Sequence, residues 1–97
     1  MATLIIPTPL RKFTDDHAEF KGNGSTVKEI VNELVSTYHP LKKHLLDDSG
    51  KIRSFVRIYV GDEDIKALDN ESTSLKEDAV VSIIPAIAGG IQDGIEQ

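Results

Sequence analysis

Val27, Ile30, Val31, Leu34, Val35 and Tyr38 fall at i, i+3, i+4, i+7, i+8 and i+11, one unbroken apolar stripe with the period of an α-helix. Such a helix is apolar on one side only, so other parts of the chain must cover that side. Its start is marked by Thr26 with Glu29 three residues on, the spacing of a capping box, or by Ser25 one residue earlier. His39-Pro40 ends it after about three turns, because proline biases the preceding residue away from helical geometry.

The covering layer is read from segments with a period of two. Thr3 to Ile6 is short, apolar and β-prone, and is closed by Pro7 and Pro9, which lack the N–H a ladder needs. His17 to Lys21 alternates and stops at Gly22-Asn23-Gly24, a cluster that tolerates positive φ, so a hairpin is expected. Phe55 to Val60 and Ala79 to Ile84 are β-branched runs ended by Gly61-Asp62 and by Pro85. In the first, Val56, Ile58 and Val60 share one face and Phe55, Arg57 and Tyr59 the other; in the last, Val81 and Ile83 oppose Ser82 and Ile84. The aliphatic faces are the expected core. Leu41 to Leu46 has the length for one irregular turn before the polar loop Asp47 to Gly50. Ile65 and Leu68 lie where a short edge strand and a turn fit, with Leu75 a further anchor.

One helix laid across a mixed sheet in the order β, β, α, β, short β, β is an α+β fold of β-grasp (ubiquitin-like) type, with four to five strands and one main helix. The two end strands would pair in parallel at its centre. With 97 residues the chain is one module: a β-grasp domain over residues 1–88, then a terminal segment over 89–97.

Composition narrows the chemistry. Eleven Lys+Arg against 16 Asp+Glu leave a net charge of -5, unsuited to neutralising phosphates, so no nucleic-acid partner is expected. The absence of cysteine removes disulfides, thiolate metal sites and thiol nucleophiles. The opening run Met1 to Pro7 is too short for a signal-peptide core, and no stretch approaches the ~20 apolar residues of a membrane span, so the reading is cytoplasmic, without a membrane partner. Without an export signal, the sequons at Asn23 and Asn70 read as chance matches.

No side-chain active site can be assembled. His39 and His44 are five apart and do not share a helical face as paired metal ligands would; with His17 they read as surface histidines. Asp62 to Ala67 begins like a calcium loop but puts Lys66 and Ala67 where an oxygen ligand and a turn glycine are needed. Gly22 to Thr26 precedes a helix and could hold an anion, yet lacks the Lys-Ser/Thr of phosphate loops, so a plain turn is favoured. No Gly-x-Ser-x-Gly or Ser-His pairing is legible. Catalytic residues, metal ligands and bound cofactors are therefore all expected to be absent.

The segment Pro85 to Gly90 differs, with no bulky side chain after Ile87. It reads either as a flexible terminus or as a peptide thin enough at Gly89-Gly90 to enter a narrow channel and present its carbonyl to another protein's nucleotide.

With Ile6 to Arg11, Phe55 to Ile65 and Val80 to Gly90 in view, the chain resembles the ThiS/MoaD-type ubiquitin-like sulfur carriers, and among them the CysO-type carriers of cysteine synthesis, from about Thr3 to Gly90. The resemblance implies that the carboxylate of Gly90 is activated by an ATP-dependent, E1-like adenylating enzyme and converted to a thiocarboxylate. That group would donate sulfur to an accepting biosynthetic enzyme of cysteine, thiamin or molybdopterin type. ATP would be the partner's cofactor, and the carrier is expected to be a monomer when free.

This sequence departs from that pattern by continuing through Ile91, Gln92, Asp93, Gly94, Ile95, Glu96 and Gln97. An internal glycine carbonyl has no anionic oxygen to attack a phosphate, so the resemblance requires cleavage behind Gly90, for which a JAMM-type zinc metalloprotease is the expected partner. Ile91 and Ile95, four apart, leave open whether the tail is loose or forms a helical turn. For contact with partners the expected surface is Phe55, Arg57, Tyr59, Ser82 and Ile84, continuing through Ile87 and Ala88. Phe55 and Tyr59 equally fit a role as mere cover for the sheet. Two other functions stay open: a protein modifier conjugated through Gly90, and a non-catalytic interaction domain whose glycines are a connector.

Overall fold

The computed structural model describes residues 1–85. The stripe forms helix α1, Val27–Thr37, with Val27, Ile30, Val31, Leu34 and Val35 all buried. Thr26 is its N-cap: the Thr26 hydroxyl accepts from Glu29 N–H at 3.2 Å, and the Glu29 carboxylate accepts from Ser25 N–H at 2.6 Å. The reciprocal pattern satisfies two amides that would otherwise lack partners. Tyr38 N–H donates to Leu34 O at 2.9 Å, and His39-Pro40 then opens a 3₁₀ turn, His39–Leu41, leading to one short helical turn, α2, Lys42–Leu45. The irregular turn expected at Leu41 to Leu46 is this pair.

Five strands form one sheet in the order β2-β1-β5-β3-β4: β1 Ala2–Ile5, β2 Glu19–Gly22, β3 Val56–Val60, β4 Glu63–Asp64 and β5 Val80–Pro85. β1 and β5 are parallel, with Leu4 opposite Val81, and every other pairing is antiparallel. This is the β-grasp arrangement, reached by a crossover through α1. Leu4, Val81, Ile83, Val56 and Ile58 point at the helix and are buried with its stripe. Ile65 joins that core from a 3₁₀ turn after the edge strand β4, and Leu75 packs against it.

Pro85, expected to end the last strand, is instead its final residue and lies opposite Val56 at the point where β3 begins. Three other local readings change. β2 begins at Glu19 rather than His17, because Thr14 intervenes: wholly buried, it places its hydroxyl 2.9 Å from His17 O and 3.2 Å from Arg11 O. Pro7 and Pro9 close β1 but also start a 3₁₀ turn, Thr8–Phe13, that buries Leu10, a helix-entry role for proline that the strand reading overlooked. Gly22 and Gly24 are absent from the positive-φ glycines, which are Gly50 and Gly61. Their requirement is space. A Cβ on Gly22 would lie 2.8 Å from Ile30 Cγ1, and one on Gly24 would lie 2.6 Å from Ile30 N. The hairpin thus lies directly against the first turns of α1.

Candidate functional site

The sheet face turned away from α1 is the surface to which the sequence assigned partner contact. Pairing of β3 with β5 sets Arg57 opposite Ile84 and Tyr59 opposite Ser82, so four of the expected residues form a two-strand patch. β1 extends it, since Ile5 lies opposite Ser82 and Thr3 opposite Val80. Ile84 is 46% exposed and Val80 44%, a large apolar exposure for the central strand of so small a sheet.

Phe55 departs from its expected place. It lies in the turn before β3, is 41% exposed, and its ring centre sits 6.0 Å from the Arg53 guanidinium carbon, a cation–π contact at the end of the sheet where β3 begins. Val80 and Ile5 were missed, although the alternation through Ser82 and Ile84 extends back to Val80. Ile87, Ala88, Gly89, Gly90 and the tail Ile91 to Gln97 lie outside the described residues.

The remaining candidates separate in space. His17 Nδ1 lies 3.3 Å from the Tyr38 hydroxyl, and His39 is exposed. His44 is half-buried, stacked on Phe13 with ring centres 4.7 Å apart, a contact that adjacent turns create and the surface reading did not foresee. Burial first, then the charges of Lys43, Lys12 and Arg53, hold its pKa below the ordinary 6.5. Among the described residues no three His, Asp or Glu side chains gather to hold a metal. In the Gly22 to Thr26 turn, Asn23 N–H donates to the Glu33 carboxylate at 2.8 Å and Ser25 N–H to Glu29, so two of its amides are already engaged by carboxylates of α1. In the former calcium-loop candidate, the Asp64 carboxylate accepts from Lys66 N–H at 2.9 Å and caps a turn. Among the described residues no helix is long and apolar enough to cross a membrane.

What the arrangement offers is an exposed face, apolar at Val80 and Ile84 and cationic at Arg57, centred on the strand that precedes the paired glycines in sequence. The family model of the ThiS family matches residues 4–90. The chain belongs to the ThiS family. A ThiS-family chain is thereby expected to have recognisable carrier relatives, and it does. Sulfur carrier protein CysO of Mycobacterium tuberculosis is 36% identical over 90 residues, covering 91% of this chain and 97% of that protein. Small archaeal modifier protein 3 of Haloferax volcanii is 29% identical over 66 residues, covering 68% of this chain and 71% of that protein. A chain from the crystal structure of the Amycolatopsis orientalis BexX/CysO complex superposes with a TM-score of 0.83 at 32% identity, covering 93% of this ThiS-family chain and 100% of its own.

Proposed function

We propose that this chain is a sulfur carrier whose working group is the α-carboxylate of Gly90, set free by cleavage before Ile91. The observation that carries this reading is the ThiS-family match, which runs to residue 90 and so closes on Gly89-Gly90, within five residues of the end of the central strand in sequence. The name of the mycobacterial relative supports the carrier role, and the BexX/CysO complex supports a partner protein that engages this fold.

The chemistry needs no side chain from the carrier. A carboxylate oxygen of Gly90 attacks the α-phosphorus of ATP held by an adenylating enzyme, and pyrophosphate leaves. The resulting acyl adenylate is a mixed anhydride, and a sulfide-level donor displaces AMP from it to give the thiocarboxylate. Two glycines without Cβ atoms let the chain enter the narrow site where this happens. Arg57, Tyr59, Ser82 and Ile84 would hold the body of the carrier on the enzyme. Cleavage by a metalloprotease removes Asp93 and Glu96, so the side-chain charge changes from -5 to -3.

Intact-mass measurement on protein from its native cells tests this directly. The expected species ends at Gly90 and includes a form heavier by the exchange of one oxygen for sulfur. Only full-length chain, in cells where the dependent biosynthesis proceeds, overturns the proposal. For the contact face, Arg57→Glu and Tyr59→Ala should each raise the KM of the adenylating step about tenfold without unfolding the domain; unchanged turnover removes this face from the account.

A second reading, a modifier conjugated to lysines through Gly90, is favoured by the likeness to the archaeal modifier protein. High-molecular-weight adducts on denaturing gels support it, whereas an alkylatable thiocarboxylate supports sulfur transfer.

A further inference from the structure

β5 runs between two ends of the molecule that differ in charge. Its start is tied to the β3–β4 turn by Gly61 N–H donating to Val80 O at 2.9 Å, and exposed Asp62, Glu63, Glu77 and Asp78 lie around it, with Lys76 among them. Its end, Pro85, pairs with Val56. Because β1 is parallel to β5 and β3 antiparallel, the turn that follows β1 and the segment that precedes β3 both lie at this second end.

Cations gather there. Arg11 Nε donates to Ile6 O at 3.0 Å, and Lys12 Nζ lies 5.2 Å from the centre of the Phe13 ring. Phe13 stacks on His44 of α2, and Arg53 Nε donates to Lys43 O at 2.9 Å while its guanidinium covers Phe55. Lys43, Lys12 and Arg53 all act on the single imidazole of His44, and among the described residues no carboxylate raises its pKa in return. Asp47 accepts from Lys51 and Ser49 N–H and is held ionised in part by the charge of Arg53, Glu71 accepts from Ile52 N–H, Asp48 is exposed beside Asp47, and Asp16 N–H donates to Arg11 O at 2.9 Å, so a collar of three basic side chains stands against a few acids at its border. Like charges brought this close repel, and Lys12 and Lys43 are exposed, so the fold itself gains little from them.

Resting on the carrier reading above, we infer that the collar of Lys12, Lys43 and Arg53 with Phe13, His44 and Phe55, at the end where the chain leaves β5, docks on an acidic protein surface bordering the channel that receives Gly89-Gly90. Charge complementarity selects the partner's sign, and the exposed Phe55 beside a guanidinium is the side-chain mixture of interface centres. A nucleic-acid partner is disfavoured by the net charge of -5, which repels a phosphate polymer outside this one region. The collar would orient the carrier so that its end, and not the acidic start of β5, faces the enzyme.

Two arms test this. In the first, the full-length, isotope-labelled chain is titrated with hexaglutamate at low salt. Amide shifts should concentrate at Lys12, Phe13, His44 and Arg53 to Phe55 and fade at about 0.15 M salt. Shifts of equal size around Lys28 and Lys76, or tighter binding of oligothymidylate at the collar, overturn the proposal. In the second arm, the chain ending at Gly90 carries Lys12→Glu with Lys43→Glu and is presented to the adenylating enzyme isolated from the same cells by carrier-dependent ATP–pyrophosphate exchange. KM should rise about tenfold at low salt and lose its salt dependence, with kcat within about twofold. Lys28→Glu with Lys76→Glu, the same charge change elsewhere, should leave KM unaltered. An unchanged KM in the collar variant, or an equal rise in both, overturns the docking role. If the wild-type chain is never adenylated, the carrier reading fails by itself, and the hexaglutamate arm alone decides the collar.

Discussion

Neighbouring residues of β5 live in opposite surroundings. Val81 and Ile83 are 0% and 3% exposed beneath α1, whereas Val80 and Ile84 are close to half exposed on the other face. All four are β-branched aliphatics of similar propensity, so strand formation cannot explain the difference. The covered pair is accounted for by packing against Ile30, Leu34 and their neighbours. The open pair contributes little to the fold and exposes apolar area to water, in keeping with the partner-facing surface proposed above.

That contrast is broken most directly by cutting both sides of the strand alike. Ile83→Ala should destabilise the domain by about 2–5 kcal/mol through lost burial and a residual cavity, while Ile84→Ala should change stability by no more than about 0.5 kcal/mol. Urea unfolding of the two variants reads the difference, and equal costs would erase the distinction between the faces. A smaller effect belongs to the helix that covers the buried face. Thr26→Ala removes the acceptor for Glu29 N–H and should cost about 1 kcal/mol, seen as a lower urea midpoint at unchanged slope. An unaffected midpoint would mean that packing alone holds the first turn of α1.

The smallest effect sharpens the comparison at the cationic edge. His44 has a folded-state pKa below its ordinary 6.5, through burial and then Lys43, Lys12 and Arg53. The unfolded chain therefore binds its proton first as pH falls, so stability is complete above about 6.5 and declines below it until the lowered folded value is passed. His44→Gln should remove that part of the slope when unfolding is followed from neutral to acid pH. An identical slope in the variant would show that the stacked imidazole titrates as it does in the unfolded chain.

Much of this was legible in the residues. The stripe from Val27 to Tyr38 and the Thr26–Glu29 pair were read because helix period and capping are local, decided within a few residues. Arg57, Tyr59, Ser82 and Ile84 were placed on one face for the same reason, since alternation is a property of the strand itself. Phe55 was misplaced by one position, at a strand boundary where a turn begins. The 3₁₀ turn Thr8–Phe13 was hidden because Pro7 and Pro9 serve equally to end a strand and to begin a helical turn. The collar was invisible because Lys12, Lys43 and Arg53 come from three separate segments.

By itself, then, the sequence determined the single amphipathic helix, the strands, their two-faced character and the paired glycines behind the last of them. Each follows from periodicity or from the identity of one or two residues. The tertiary structure decided what those faces meet: that Gly22 and Gly24 are small because α1 lies against them, and that Val80 and Ile84 are left open. It also decided that the two ends of β5 differ in charge. The physical reason is range, because periodicity and capping act between chain neighbours, whereas burial, close approach and electrostatic fields depend on residues that only the folded chain brings together.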